Sequence, residues 1–122
     1  MASASQGFHE DESRLSARTK DLHRALVSLQ EELEAIDWYQ QRADATEDPE
    51  LREILEHNRD EEKEHASMLL EWIRRKDVVF ARMMRRHTSA AGPIVSEEES
   101  EKSAGEAEVE GGARKQGEGE RR

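Results

Sequence analysis

An all-α fold follows from three observations. From Leu15 to about Ala43, and again from Pro49 to about Lys76, the chain contains no glycine and no proline beyond Pro49 itself. Nothing in either stretch interrupts a helical backbone. Apolar residues recur in both at three- and four-residue intervals, the period of one helix face. The break between them, Asp44-Ala-Thr-Glu-Asp48, is short, and a connection of that length makes consecutive helices pack antiparallel. The expected architecture is a two-helix antiparallel hairpin with a short C-terminal helix.

The elements follow in order. Residues 1–12 mix small, polar and acidic types and read as a flexible leader. Ser13 is a candidate cap for the first helix, with Ser16 and good helix formers after it. That helix carries Leu15, Leu22, Leu26, Leu29, Leu33 and Ile36 at helical spacing. Asp48 before Pro49 is a strong helix start, because the carboxylate accepts orphan backbone N–H bonds and proline suits the first helical position. The second helix places Leu51, Ile54, Leu55, Met68, Leu69, Trp72 and Ile73 on one side. Asp77 is positioned to restart the chain as a third helix through Val78, Val79, Phe80 and Met83, ending before Gly92-Pro93. The helical region is thus 13–95. Residues 96–122 are rich in Glu, Ser, Ala and Gly, a composition that cannot support a core, and read as a disordered acidic tail.

Composition narrows the function classes. Charged residues make up 39% of the 122 residues and hydrophobic ones only 34%. A domain that small and that polar is marginal alone, so a homo-oligomer is expected. The net charge of −10 argues against nucleic acid and anionic membrane as partners, since both need a basic face. Cysteine is absent, which excludes thiol nucleophiles and thiolate metal sites. No apolar run approaches the roughly 20 residues of a membrane span, and MASASQGFHEDES lacks a signal-peptide core. A cytoplasmic protein is the simplest expectation.

Polar residues in apolar positions carry the functional signal. The repeating stripe of the second helix reads Leu51, Leu55, Asn58, Glu62, His65, Leu69, Trp72. That of the first reads Leu15, Leu22, Ala25, Leu29, Glu32, Ile36, Tyr39. Glu32, Glu62 and His65 therefore occupy the middle of each seam, where an unpaired charge is costly and is normally paired or bound to metal. At about 1.5 Å of rise per residue, Glu32 and Glu62 lie roughly 18 and 21 Å from the turn, so they should face each other. His65 is one turn beyond Glu62 on the same face.

Such a set is half of a di-iron site. Four-helix carboxylate centres take a Glu from each of two helices and a Glu-x-x-His from each of the other two. This chain has one helix of each kind, so a two-fold dimer completes the set and covers the apolar seams. Hard carboxylate oxygens with one imidazole favour iron, although zinc or manganese suits the same groups. As a bland alternative, Glu61 and Glu64 are best read as a solvated acidic surface, and His57 as exposed or a peripheral ligand. Trp38 and Tyr39 have a bland reading too, as ordinary interface aromatics.

The strings NRDEEKEHASMLLEW (Asn58–Trp72) and EELEAIDWY (Glu31–Tyr39) strongly resemble the encapsulated ferritins, and the likeness extends over roughly residues 20–95. The resemblance implies a half-ferritin whose dimers form a ferritin-like four-helix bundle holding two Fe per dimer site, and whose dimers assemble into an open ring, a decamer in that family. It implies that Glu32, Glu62 and His65 bind iron. It also implies that Glu31 and Glu34 gather metal, calcium or another divalent ion included, near the site mouth beside Trp38, with Tyr39 close to the centre. The implied activity is ferroxidase chemistry, Fe(II) to Fe(III) with O2, supplying iron for storage inside an encapsulin nanocompartment, with the encapsulin shell protein as partner. Family members reach the shell through a C-terminal targeting peptide with short apolar residues. This tail ends GGARKQGEGERR without one, so either the chain stops before the peptide or its signal is unusual. Two other functions fit less well: a rubrerythrin-like di-iron peroxidase, which usually carries a cysteine metal site, and a non-catalytic helical scaffold or cargo adaptor whose buried charges set dimer register.

Overall fold

The computed structural model of the chain describes residues 7–95. The tail 96–122 and the first six residues of the leader lie outside the described residues. Among the described residues there are three α-helices, one short 3-10 turn and no strand. The helices are α1 (Ala17–Ala45), α2 (Pro49–Lys76) and α3 (Val78–His87).

Helix α1 starts later than Ser13 suggests. The Asp11 carboxylate accepts from the Ser13 N–H at 3.0 Å and the Ser13 hydroxyl at 2.9 Å, which holds Glu12–Arg14 in a 3-10 turn. Leu15 is extended, and Ser16 becomes the cap: its Oγ accepts from the Thr19 N–H at 3.1 Å. At the other end α1 continues through Ala45, so the connection is shorter than the expected five residues, spanning only Thr46, Glu47 and Asp48. Arg52 explains the tight turn, since its Nε donates to the Ala43 carbonyl at 3.1 Å and its Nη2 to the Thr46 carbonyl at 2.6 Å. These carbonyls are among the orphans a helix end leaves. As expected, Asp48 caps α2, accepting from Glu50 and Leu51 N–H at 3.0 and 3.4 Å ahead of Pro49.

The two long helices are antiparallel, as their polar contacts show. While the α1 partners run back from Ala43 through Gln40 and Glu32 to Arg18, their α2 partners run forward through Arg52, Arg59 and His65 to Lys76. At the open end the Arg18 Nη2 donates to the Lys76 carbonyl at 2.9 Å, placing a cation on the negative end of the α2 dipole. The buried residues of the hairpin are Ala25 and Ala43 on α1 and Ala66 and Ile73 on α2. Three alanines let the helices approach closely but supply little apolar area. Leu33, Trp38, Leu51, Ile54 and Met68 stay largely exposed, so an isolated hairpin leaves much of its hydrophobic surface in water.

The chain divides into two compact units after Asp77. In the second, α3 is amphipathic and basic at its end, with Arg85, Arg86 and His87 in its last turn. It closes with Thr88 N–H donating to the Met84 carbonyl at 2.8 Å and with Ser89 in the left-handed region at φ 65°, a common way to end a helix.

Candidate metal centre

Two seven-residue lines run along the helices at the site. On α1 the line is Arg18, Ala25, Glu32, Tyr39, and on α2 it is Arg52, Arg59, Ala66, Ile73. Residues seven apart share a helix face, and on each line an alanine packs against the other helix beside the charged groups. Glu32 projects from the middle of α1, and Glu62 and His65 project from one turn of α2. All three stand beside the buried alanines at the edge of the seam, partly exposed.

Their polar atoms converge. The His65 Nδ1 lies 3.3 Å from Glu62 Oε2 and 3.5 Å from Glu32 Oε2. One ligand atom from each of the three residues falls within a span of 4.8 Å. The side chains are 24% exposed for Glu32, 22% for Glu62 and 43% for His65, so the site lies open on one side of the hairpin. Two carboxylates this close repel unless a positive centre sits between them. As an imidazolium, with both ring nitrogens protonated, His65 can serve in that role. A metal ion taking its place would be shared by the same imidazole and carboxylates. Two hard oxygen donors and one imidazole, with open coordination positions, suit iron, zinc or manganese.

The other residues singled out in the sequence surround this group without joining it. Glu31 and Glu34 are exposed on the same turn of α1. Trp38 is 50% exposed and lines a shallow hollow with Gln41 and Arg42. Tyr39 is half-buried, with the Arg42 guanidinium 5.5 Å from its ring centroid. His57 is exposed beside Glu61, with Nε2 at 3.8 Å from the carboxylate. His23 takes a different part altogether, its ring meeting Phe8 at a tilt of 49° with 4.7 Å between centroids and tying the leader to α1.

A cross-helix pair escaped the sequence reading. The Arg59 Nη1 donates to Gln40 Oε1 at 2.8 Å. Arg59 also grips Asp60, with Nε and Nη2 donating at 3.0 and 3.4 Å. That hydrogen bond, with a second from Lys63, holds the Asp60 carboxyl below the usual carboxylate range. The signal was present: Arg59 stands on the heptad line of the buried Ala66 and Ile73, an unusual place for a cation.

Comparison with known proteins places the chain in one family. Residues 7–90 match the family described as EncFtn-like. The chain is 50% identical to the encapsulated ferritin-like protein of Rhodospirillum rubrum, across 98% of this chain and 86% of that one. It is 49% identical to a ferritin-like protein of Thermotoga maritima, over 75% of this chain and 81% of the relative. A more distant similarity, 36% identity over 57% of this chain and 54% of the relative, is to an encapsulin nanocompartment cargo protein of Myxococcus xanthus. In three dimensions it resembles the crystal structure of a protein from Nitrosomonas europaea, with a TM-score of 0.70 and 55% identity, covering 72% of this chain and 97% of that chain.

Proposed function

Since the chain belongs to the EncFtn-like family, that of the encapsulated ferritins, we propose that it is a ferroxidase whose two-iron centre forms across a dimer. The observation that carries this reading is the convergence of Glu32, Glu62 and His65 within 4.8 Å. A single hairpin offers three donors on an open face, too few to enclose two ions. A second copy related by a two-fold axis doubles the set to the Glu and Glu-x-x-His pattern of di-iron carboxylate bundles. The same pairing would bury exposed apolar residues such as Leu33 and Met68.

Iron is the substrate. Fe(II) binds through Glu32, Glu62 and His65. Each ion gives up one electron and leaves as Fe(III), while O2 takes the electrons together with protons from solvent. One of the two glutamates bridges the ions and His65 is a terminal ligand. Exposed Glu31 and Glu34 raise the local Fe(II) concentration at the mouth beside Trp38, where calcium or another divalent ion can also sit, and Tyr39 lies close to the centre. Dimers assemble further, into a decameric ring. The naming of the R. rubrum and M. xanthus relatives supports an encapsulin shell as the partner and its interior, within the cytoplasm, as the location where the oxidised iron is stored.

The test is anaerobic Fe(II) loading followed by exposure to air, with Fe(III) followed by absorbance. Glu32→Ala, Glu62→Ala and His65→Ala are each expected to slow oxidation by about tenfold or more, since loss of even an outer partner of a metal ligand costs that much. If all three oxidised iron at the wild-type rate, the ferroxidase reading would be wrong.

A further inference from the structure

We propose that Arg59 and Gln40 form a latch that sets the register in which Glu32 meets Glu62 and His65, making them positioning residues for the metal centre. The inference rests on the metal-centre reading above. It starts from what the hairpin lacks. Near the site the seam holds Glu32, Asn58, Glu62 and His65 in place of large apolar side chains, and the buried residues flanking it, Ala25 and Ala66, are small. Ile73, the bulky side chain that is fully buried, lies about two turns beyond His65, so packing at the site itself fixes the axial position less firmly.

A slip of one residue moves a helical side chain by about 1.5 Å along the axis and swings it by about 100°. Ligand sites must hold geometry to within about 0.5 Å. Register at the site therefore needs a directional contact, and a hydrogen bond has the required distance and angle dependence.

The Arg59–Gln40 contact has the right location and the right rigidity. Arg59 lies one turn before Glu62 on α2, and Gln40 lies about two turns after Glu32 on α1, so the latch closes on the turn side of the site. The other cross-helix hydrogen bonds from arginine, by Arg18 and Arg52, reach backbone carbonyls at the helix ends. Both latch residues are themselves pinned. Gln40 donates through Nε2 to Asp44 Oδ1 at 3.0 Å, which fixes its amide so that Oε1 faces Arg59. Asp60 holds two nitrogens of Arg59 and also accepts from Lys63 Nζ at 3.2 Å. The Arg59 side chain is half-buried, with 19% of its surface exposed, while Gln40 stands at the surface. With no metal bound, Glu32 and Glu62 repel each other across the seam, and the latch opposes that separation.

Titration of the purified full chain with Co(II), a redox-inert probe with a visible spectrum, separates positioning from plain stability. Arg59→Met and Gln40→Met keep the aliphatic stems and remove the bond. Each is expected to weaken Co(II) binding by about tenfold and to alter the visible band, while circular dichroism shows an intact helical fold. The double variant should bind no worse than either single one, because both remove the same contact. Arg59→Lys, which can still reach Gln40, should recover part of the affinity. Glu62→Ala and His65→Ala are measured alongside. Wild-type affinity and spectrum in folded Gln40→Met and Arg59→Met, with binding lost in the ligand variants, would overturn the latch alone. Unchanged binding in the ligand variants would overturn the metal-centre reading as well. Gln40 is on the surface, so Gln40→Met decides the matter even if Arg59→Met fails to fold.

Discussion

At the scale of single residues, the largest demands fall on Ile73 and on the helix caps. Ile73 is fully buried, at 0% exposure, in a hairpin whose other buried residues are alanines. Ile73→Ala removes that apolar contact and leaves a void, and it should cost about 2–5 kcal/mol, read as a fall in thermal denaturation midpoint. Asp48 carries a local burden, taking two orphan N–H groups at the start of α2. Asp48→Ala should cost about 1 kcal/mol, and its effect on metal binding should be small, because the cap is four turns from Glu62. The candidate ligands stand out in the sequence for one reason: charge at an apolar-stripe position contradicts the pattern around it. Arg59 contradicts the pattern in the same way. It was missed because an arginine among apolar positions is easily assigned to the exposed edge of a stripe, and only the structure shows it bonded to Gln40.

At the scale of elements, the ends of α2 show how local chemistry governs what the periodicity leaves vague. Glu71 accepts from Arg74 at 2.5 and 2.7 Å and from Arg75 at 2.7 Å. These hydrogen bonds, Arg74's first, lower its pKa from 4.5 to about 2. A depressed carboxylate contributes stability that is present above its unfolded value and lost as the pH falls through its folded one. The last turn of α2 should therefore hold down to about pH 4.5 and loosen between there and about pH 2. Carboxyl-resolved NMR titration checks this, with the Glu71 midpoint expected well below those of the exposed glutamates. A midpoint in the ordinary range would remove the claim. Helix existence, order and the Asp48-Pro49 start were readable from periodicity and capping. The start of α1 was not, because Ser13 and Ser16 are equally good caps on paper. Asp11 decides between them by engaging Ser13, which leaves Ser16 to Thr19.

At the scale of the whole molecule, stability, assembly and chemistry would all depend on the same surface in the proposed dimer. The described hairpin buries little, exposes large apolar residues and carries its candidate ligands on an open side, within a chain of net charge −10. Pairing two copies would cover the apolar residues but bring acidic faces together, and bound cations would relieve that repulsion. Metal should thus raise the denaturation temperature, and keep raising it logarithmically as free metal exceeds the dissociation constant, and a chelator should reverse the gain. The exposed apolar face that a proposed partner would cover was legible in the shortage of apolar residues. The geometry of that partner was not, because a sequence reports which face is unsatisfied and leaves open what satisfies it.

The most direct test of the central claim is native mass spectrometry of the full chain loaded anaerobically with Fe(II). The account predicts iron in dimers and larger assemblies at about one ion per chain, acquired in pairs, with none retained by the monomer and none by Glu62→Ala. Iron held by monomers as tightly as by dimers, or no iron bound by an assembled protein, would contradict it.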